Sequence, residues 1–197
     1  QTDKIEAERT IQMGNGNRGN TMIIKNGLVF TPEGKFEKKD LYVEGEYVAK
    51  ETTDNKEVEA EGCYVIPGLV DIHFHGCVRH DMCDGTEESI QALADYEAAN
   101  GVLAICPATM TIPEEELFQA MKAAKGHKNG KGADLVGINM EGPFINKEKK
   151  GAQKEEDIKL ADVELFHKLQ EAAGGLIKLV DLAPETEGAM DFINQVK

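Results

Sequence analysis

The sequence is poor in three features that mark specialised classes of protein: cysteine, excess positive charge and long apolar runs. Only four cysteines occur in 197 residues, too few for a disulfide scaffold and too irregularly spaced for a zinc knuckle. We therefore expect reduced thiols. The formal net charge of -14 excludes nucleic acid as the main partner, because nucleic acids require basic patches on the proteins that bind them.

Long apolar runs are also missing. No run approaches the ~18 residues of a membrane-spanning helix, and the N-terminus carries no hydrophobic signal core. We therefore predict no membrane partner and a cytoplasmic location. The composition that is present, with 41% hydrophobic and 29% charged residues, is ordinary for a globular protein of one domain, or of one domain and part of another.

Composition divides the first third of the chain into two regions. Residues 1–21 are polar and rich in glycine and asparagine, and we predict that they are disordered. Residues 22–66 carry short β-type runs separated by glycine-containing pairs typical of hairpin turns, which predicts a small antiparallel β unit. The pairs are Asn26-Gly27, Glu33-Gly34, Glu44-Gly45 and Glu61-Gly62.

Over residues 67–197 the predicted secondary structure changes to alternating strands and helices. Strand-like runs end near residues 75, 106, 141 and 182. Helices are predicted over 86–100 and from about Pro113, Asp162 and Glu187. Four βα units of this kind predict a parallel α/β sheet. They fit half of a (β/α)₈ barrel, which needs eight units and typically ~250 residues, or an open doubly wound sheet.

Two histidines stand at the end of the first of these strands, in the run PGLVDIHFHG at residues 67–76. Because side chains alternate along a strand, His73 and His75 share a face with Asp71. Neutral imidazole is the commonest metal ligand, and catalytic zinc sites combine histidine with carboxylate. The run predicts a metal-dependent hydrolase, with two ordinary histidines as the alternative. Its apolar residues are expected to hold the strand in a core; they are Leu69, Val70 and Ile72.

Glu141 is a third candidate ligand. It ends the apolar strand 135–141, and the following Gly142-Pro143 bends the chain and prevents a helix from starting there. Its carboxylate is therefore expected to point from the strand end toward the same rim as the histidines. The alternative is a merely solvated glutamate.

These residues resemble a known family. The run at 67–76 is similar to the first barrel strand of the amidohydrolase superfamily. The segment GINMEGPF at 137–144, with KKGAQ at 149–153, resembles the N-acetylglucosamine-6-phosphate deacetylase family more specifically. The resemblance extends from Met22 to Lys197. It implies the N-terminal half of an amidohydrolase-type (β/α)₈ barrel over 67–197, preceded by part of a small β-sandwich over 22–66.

The resemblance also implies a chemistry, the hydrolysis of N-acetylglucosamine 6-phosphate to glucosamine 6-phosphate and acetate. Glu141 matches the glutamate that binds the catalytic divalent metal, expected to be zinc, with iron as an alternative. His73 and His75 match the pair that binds a second metal in members that have one. Ala152 and Gln153 match the loop that contacts the amino sugar.

No catalytic residue is identifiable in this chain. By resemblance, the aspartate base and further metal-binding histidines are expected beyond Lys197, and the chain is expected to be inactive alone. Half a barrel exposes strand edges, so we expect a homo-oligomer or a complementary C-terminal half as partner. The alternatives are another amidohydrolase acting on cyclic amides, and a non-catalytic remnant that binds a sugar phosphate or a partner chain.

Overall fold

A computed structural model describes residues 21–45, 47–53 and 56–196. The chain forms two compact units, Gln1–Leu69 and Val70–Lys197. The sequence predicted a boundary after Ile66. The predicted disorder of residues 1–21 lies, except for Thr21, outside the described residues.

The first unit contains one five-stranded sheet. Its strands are β1 (Met22–Phe30), β2 (Phe36–Glu44), β3 (Tyr47–Ala49), β4 (Glu57–Glu59) and β5 (Tyr64–Val65). Strand β2 pairs antiparallel with β1 and β3, whereas β4 and β5 both pair parallel with β1. The prediction of a wholly antiparallel unit is therefore wrong, because the segment after β3 crosses to the other side of β1.

Asn26-Gly27 does not form the predicted hairpin turn. The pair lies inside β1, where the register against β2 shifts between Ile24 and Gly27. Asn26 has a φ of 60°, and its backbone N–H donates to Asp40 Oδ1 at 2.9 Å. A Cβ on Gly27 would lie 2.5 Å from Val65 Cγ2. The pair therefore marks a β-bulge, and its glycine is required by close packing of a neighbouring strand.

The second unit alternates strands and helices as predicted. Its strands are β6 (Leu69–Asp71), which begins at the unit boundary, β7 (Gly76–Cys77), β8 (His80–Asp81), β9 (Val102–Ile105), β10 (Asp134–Leu135), β11 (Ile138–Glu141) and β12 (Ile177–Asp181). Its helices are α1 (Glu87–Ala99), α2 (Glu114–Gly126), α3 (Val163–Ala172) and α4 (Ala189–Val196). The predicted starts of α1 and α3 are confirmed, and the structure adds caps there, since the side chains of Thr86 and Asp162 each accept a hydrogen bond from a backbone N–H of the first turn.

Neighbouring strands follow one another in chain order. Strand β9 lies between β6 and β10, and β11 pairs parallel with β12. A bridge between Ala108 and Asn139 joins the ends of the two groups. A doubly wound sheet reverses its strand order at a switch point, whereas a barrel does not. The α/β class is confirmed, and the order of the described strands is that of a barrel.

The core of this unit lies between the helices and the outer face of the strands. Fully buried residues include Ile90 of α1, Leu117 and Met121 of α2, and Ile105 and Ile138 of the strands. Three aromatic rings pack edge to face in the core beside α4. The ring centroids are 5.2 Å apart for Phe144–Phe192 and 5.5 Å apart for Phe166–Phe192.

The apolar residues of β6 do not join this core. Leu69, Val70 and Ile72 are 52%, 59% and 53% exposed. Within the described residues, β6 is an edge strand that pairs with β9 alone. Their predicted burial is wrong because an apolar pattern states which residues favour burial and not which layer covers them.

We expect Phe192→Ala to lower the free energy of unfolding by about 3–5 kcal/mol, because the ring is 1% exposed and contacts two other buried rings. Met190→Ala on the same helix is the control. Its side chain is 58% exposed, so we expect a change within about 0.5 kcal/mol. Urea denaturation followed by circular dichroism measures both, and equal losses would contradict this placement of α4.

Candidate metal centre

The two histidines lie just beyond β6, which ends at Asp71. The extended backbone continues past it, since Cys106 N donates to Asp71 O at 2.8 Å and Ala108 N donates to Phe74 O at 2.7 Å. These bonds advance together along both segments, as in a parallel pair. The histidines therefore reach the rim predicted for them although their residues are not part of the strand.

His73, His75 and Glu141 converge at this rim. The Nε2 atoms of His73 and His75 lie 3.2 and 3.1 Å from the same carboxylate oxygen, Glu141 Oε2. The two rings are nearly perpendicular, with centroids 5.3 Å apart. One donor atom from each residue lies within 4.8 Å of the others, and the described residues contain no other such group of three. The structure thus brings together all three ligands predicted from the sequence.

The chemistry of this group fits a divalent metal ion. Two imidazole nitrogens and one carboxylate oxygen are a donor set that catalytic metals use in proteins, with further positions left for water or substrate. Glu141 Oε2 and His75 Nδ1 are buried atoms with no hydrogen-bond partner among the described residues. A buried carboxylate oxygen without such a partner is costly, and coordination of a cation is one way to satisfy it.

A buried glutamine holds the other oxygen of Glu141. Gln153 is 5% exposed, and its Nε2 donates to Glu141 Oε1 at 2.8 Å. Its Oε1 accepts from the backbone N–H of Thr111 at 2.6 Å. The adjacent Ala152 is exposed on the loop. Contact of Ala152 and Gln153 with a sugar stays a prediction.

The bend after Glu141 is packed against Thr111. Gly142 has a φ of 73°, and a Cβ at this position would collide with Thr111 Oγ1. Glycine is therefore required here for both its backbone conformation and its size. This close approach sets where β11 ends relative to the segment after β9.

Asn139 and Asp181 surround His73 and were missed by the sequence analysis. Asn139 Nδ2 lies 2.9 Å from His73 Nδ1 and donates to Ile72 O at 3.2 Å, and Asp181 Oδ2 lies 3.5 Å from the same Nδ1. Partners of this kind orient a ligand imidazole. A signal was present for both, because Asn139 precedes Glu141 by two residues on one strand and Asp181 ends the next strand.

Asp71, predicted on the histidine face, has a local role. Its Oδ1 accepts from the backbone N–H of His73 at 3.0 Å, which fixes the turn into the site.

The remaining histidines and the nearby thiols lie outside the group. His80 approaches Asp84 at 3.8 Å, His167 lies within α3, and burial lowers the pKa of His127 just after α2. Burial raises the pKa of the Cys83 thiol to about 12. The thiolate is the form that binds metals, so this environment opposes metal binding by Cys83.

Comparison with curated proteins identifies the relatives of this chain. The N-acetylglucosamine-6-phosphate deacetylase of Bacillus subtilis is 34% identical over 181 residues, which cover 89% of this chain and 44% of that protein. The N-acetylgalactosamine-6-phosphate deacetylase of Escherichia coli O157:H7 is 28% identical, with 90% of this chain and 48% of that protein covered. The chain thus spans less than half the length of these relatives. No family model matches it.

Solved structures share the fold. The N-acetylglucosamine-6-phosphate deacetylase of Pasteurella multocida matches with a TM-score of 0.77 at 21% identity, over 89% of this chain and 48% of that one. A D267A mutant of the Mycobacterium smegmatis enzyme, in complex with N-acetyl-D-glucosamine-6-phosphate, matches with a TM-score of 0.73 at 21% identity, over 90% and 47%. The solved structures show a shared fold, and by sequence the chain belongs to the N-acetylglucosamine-6-phosphate deacetylase family, corresponding to less than half of its relatives' length.

Proposed function

We propose that this chain provides part of the metal centre of a deacetylase that hydrolyses N-acetylglucosamine 6-phosphate to glucosamine 6-phosphate and acetate. The observation that carries the proposal is the convergence of His73 and His75 on Glu141 Oε2. The related deacetylases supply the reaction and the substrate class.

The proposed metal is zinc, held by Glu141 and the two histidines, with iron as the alternative. When bound, such an ion polarises a carbonyl group and lowers the pKa of water toward neutrality. The chain's own part is to present the three donor atoms at one rim and to hold them there through Gln153 and Asn139. Amide hydrolysis also needs a general base, and the resemblance implies an aspartate for that role beyond Lys197.

The proposed substrate class is a small amino-sugar phosphate, bound at the loop that carries Ala152 and Gln153. The Mycobacterium smegmatis enzyme, whose structure is a complex with N-acetyl-D-glucosamine-6-phosphate, supports the gluco sugar. The Escherichia coli relative supports the galacto epimer as a second candidate. The relatives do not favour a cyclic amide hydrolase.

We further propose that another chain, either a second copy or a complementary half, covers the exposed edges of the second unit. Among the described residues, β6 pairs only with β9, and β12 pairs only with β11. Val70, Ile72, Leu103 and Val136 are large apolar side chains exposed beside these strands. Unpaired edges and apolar faces favour association.

Among the described helices, none has the length and hydrophobicity that a membrane span requires. The cytoplasmic location stays a prediction.

Zinc binding tests the metal centre directly. We expect the purified chain to bind zinc in calorimetric titration, and His75→Asn to weaken binding by at least about 100-fold because it removes a ligand. His80→Asn is the matched control, since His80 lies outside the group. Equal affinity of both variants and the wild type would contradict the proposed ligands.

Acetate release tests the reaction. We expect little turnover of N-acetylglucosamine 6-phosphate by the zinc-loaded chain alone. Turnover is expected to appear when a polypeptide supplying the remaining part of a relative is added, because the base and further ligands then become available. The galacto epimer and a cyclic amide serve as comparison substrates. Turnover of the cyclic amide in preference to both sugars would overturn the proposal.

A further inference from the structure

The side-chain amide of Gln153 has partners within the protein. One hydrogen of its Nε2 is directed to Glu141 Oε1 at 2.8 Å, and a weaker contact reaches Met110 Sδ at 3.7 Å. Its carbonyl oxygen accepts from Thr111 N at 2.6 Å. The side chain is 5% exposed. Its hydrogen-bonding groups are therefore directed into the protein.

The orientation of this amide is fixed by its two strong partners. An ionised carboxylate only accepts hydrogen bonds, and a backbone N–H only donates them. The NH₂ group of Gln153 must therefore face Glu141, and its oxygen must face Thr111. The reverse orientation would bring two acceptors together on one side and two donors on the other.

This bond also decides which oxygen of Glu141 is available to a ligand. Oε1 is held by Gln153, whereas Oε2 accepts no hydrogen bond from a described residue and faces the Nε2 atoms of both histidines. The backbone of Gln153 is also held in place, since Lys150 Nζ donates to the carbonyl oxygen of Gln153 at 3.1 Å.

We infer that Gln153 is a positioning residue that holds the Glu141 carboxylate with Oε2 directed at the metal-binding position. This inference rests on the proposed metal centre and deepens it. Outer partners of metal ligands typically contribute 10–100-fold to metal affinity, because they fix the geometry of the donor atom.

The test compares Gln153→Met with Lys154→Met in the full chain. Methionine preserves the length of glutamine and removes both strong hydrogen bonds. Lys154 is exposed and adjacent, so its substitution controls for a local change to methionine. In calorimetric titration with zinc, we expect Q153M to weaken the affinity by about 10–100-fold and K154M to leave it unchanged. Misfolding of part of the sample would lower the number of sites and not the affinity of each site.

Glu141→Gln separates failure of the inference from failure of the proposed function. Wild-type affinity in Q153M, together with loss of binding in E141Q, would overturn the positioning role and leave the metal centre standing. If neither the wild type nor E141Q binds zinc, the proposed function fails. Crystal structures of the metal-free chains then decide the inference: one Glu141 rotamer in the wild type and several in Q153M supports it, and one rotamer shared by both overturns it.

Discussion

The two oxygens of Glu141 have different partners, and the rest of the site depends on this constraint. One oxygen is satisfied by Gln153, and the other faces two imidazole nitrogens. A carboxylate held at one end by a neutral donor keeps its direction, so it can serve as a ligand without moving. The segments after β6 and β9 and the strands β11 and β12 each place a donor atom or a support for one.

The fold meets this constraint with neighbouring parallel segments that end at one rim. The segment after β6 brings the histidines, and β11 brings Glu141 beside β12, whose Asp181 faces His73. The segment after β9 contributes the N–H of Thr111, which anchors Gln153. The close packing of Gly142 against Thr111 sets the separation of these segments. The carboxyl ends of parallel strands are the usual position for such sites because loops there can be built around them.

Electrostatics gives this arrangement a further consequence. The chain has a formal net charge of -14, which repels an anionic sugar phosphate at long range. A divalent cation bound by Glu141 and the two histidines would offset the negative charges of Glu141 and of Asp181, which faces His73. On the proposed function, the metal would therefore reduce this repulsion at the site as well as activate the reaction.

The sequence by itself determined the alternation of strands and helices, the helix starts near Thr86 and Asp162, and the three candidate ligands, because local propensity and strand ends are encoded over a few residues. Only the tertiary structure decided the rest. It turned Asn26-Gly27 from a hairpin into a bulge through the approach of Val65, and it left Val70 and Ile72 exposed on an edge strand. It also brought Gln153 to Glu141 across a long loop. These outcomes depend on which distant segments meet, and a pattern along the chain states what each residue favours but not which partner it finds.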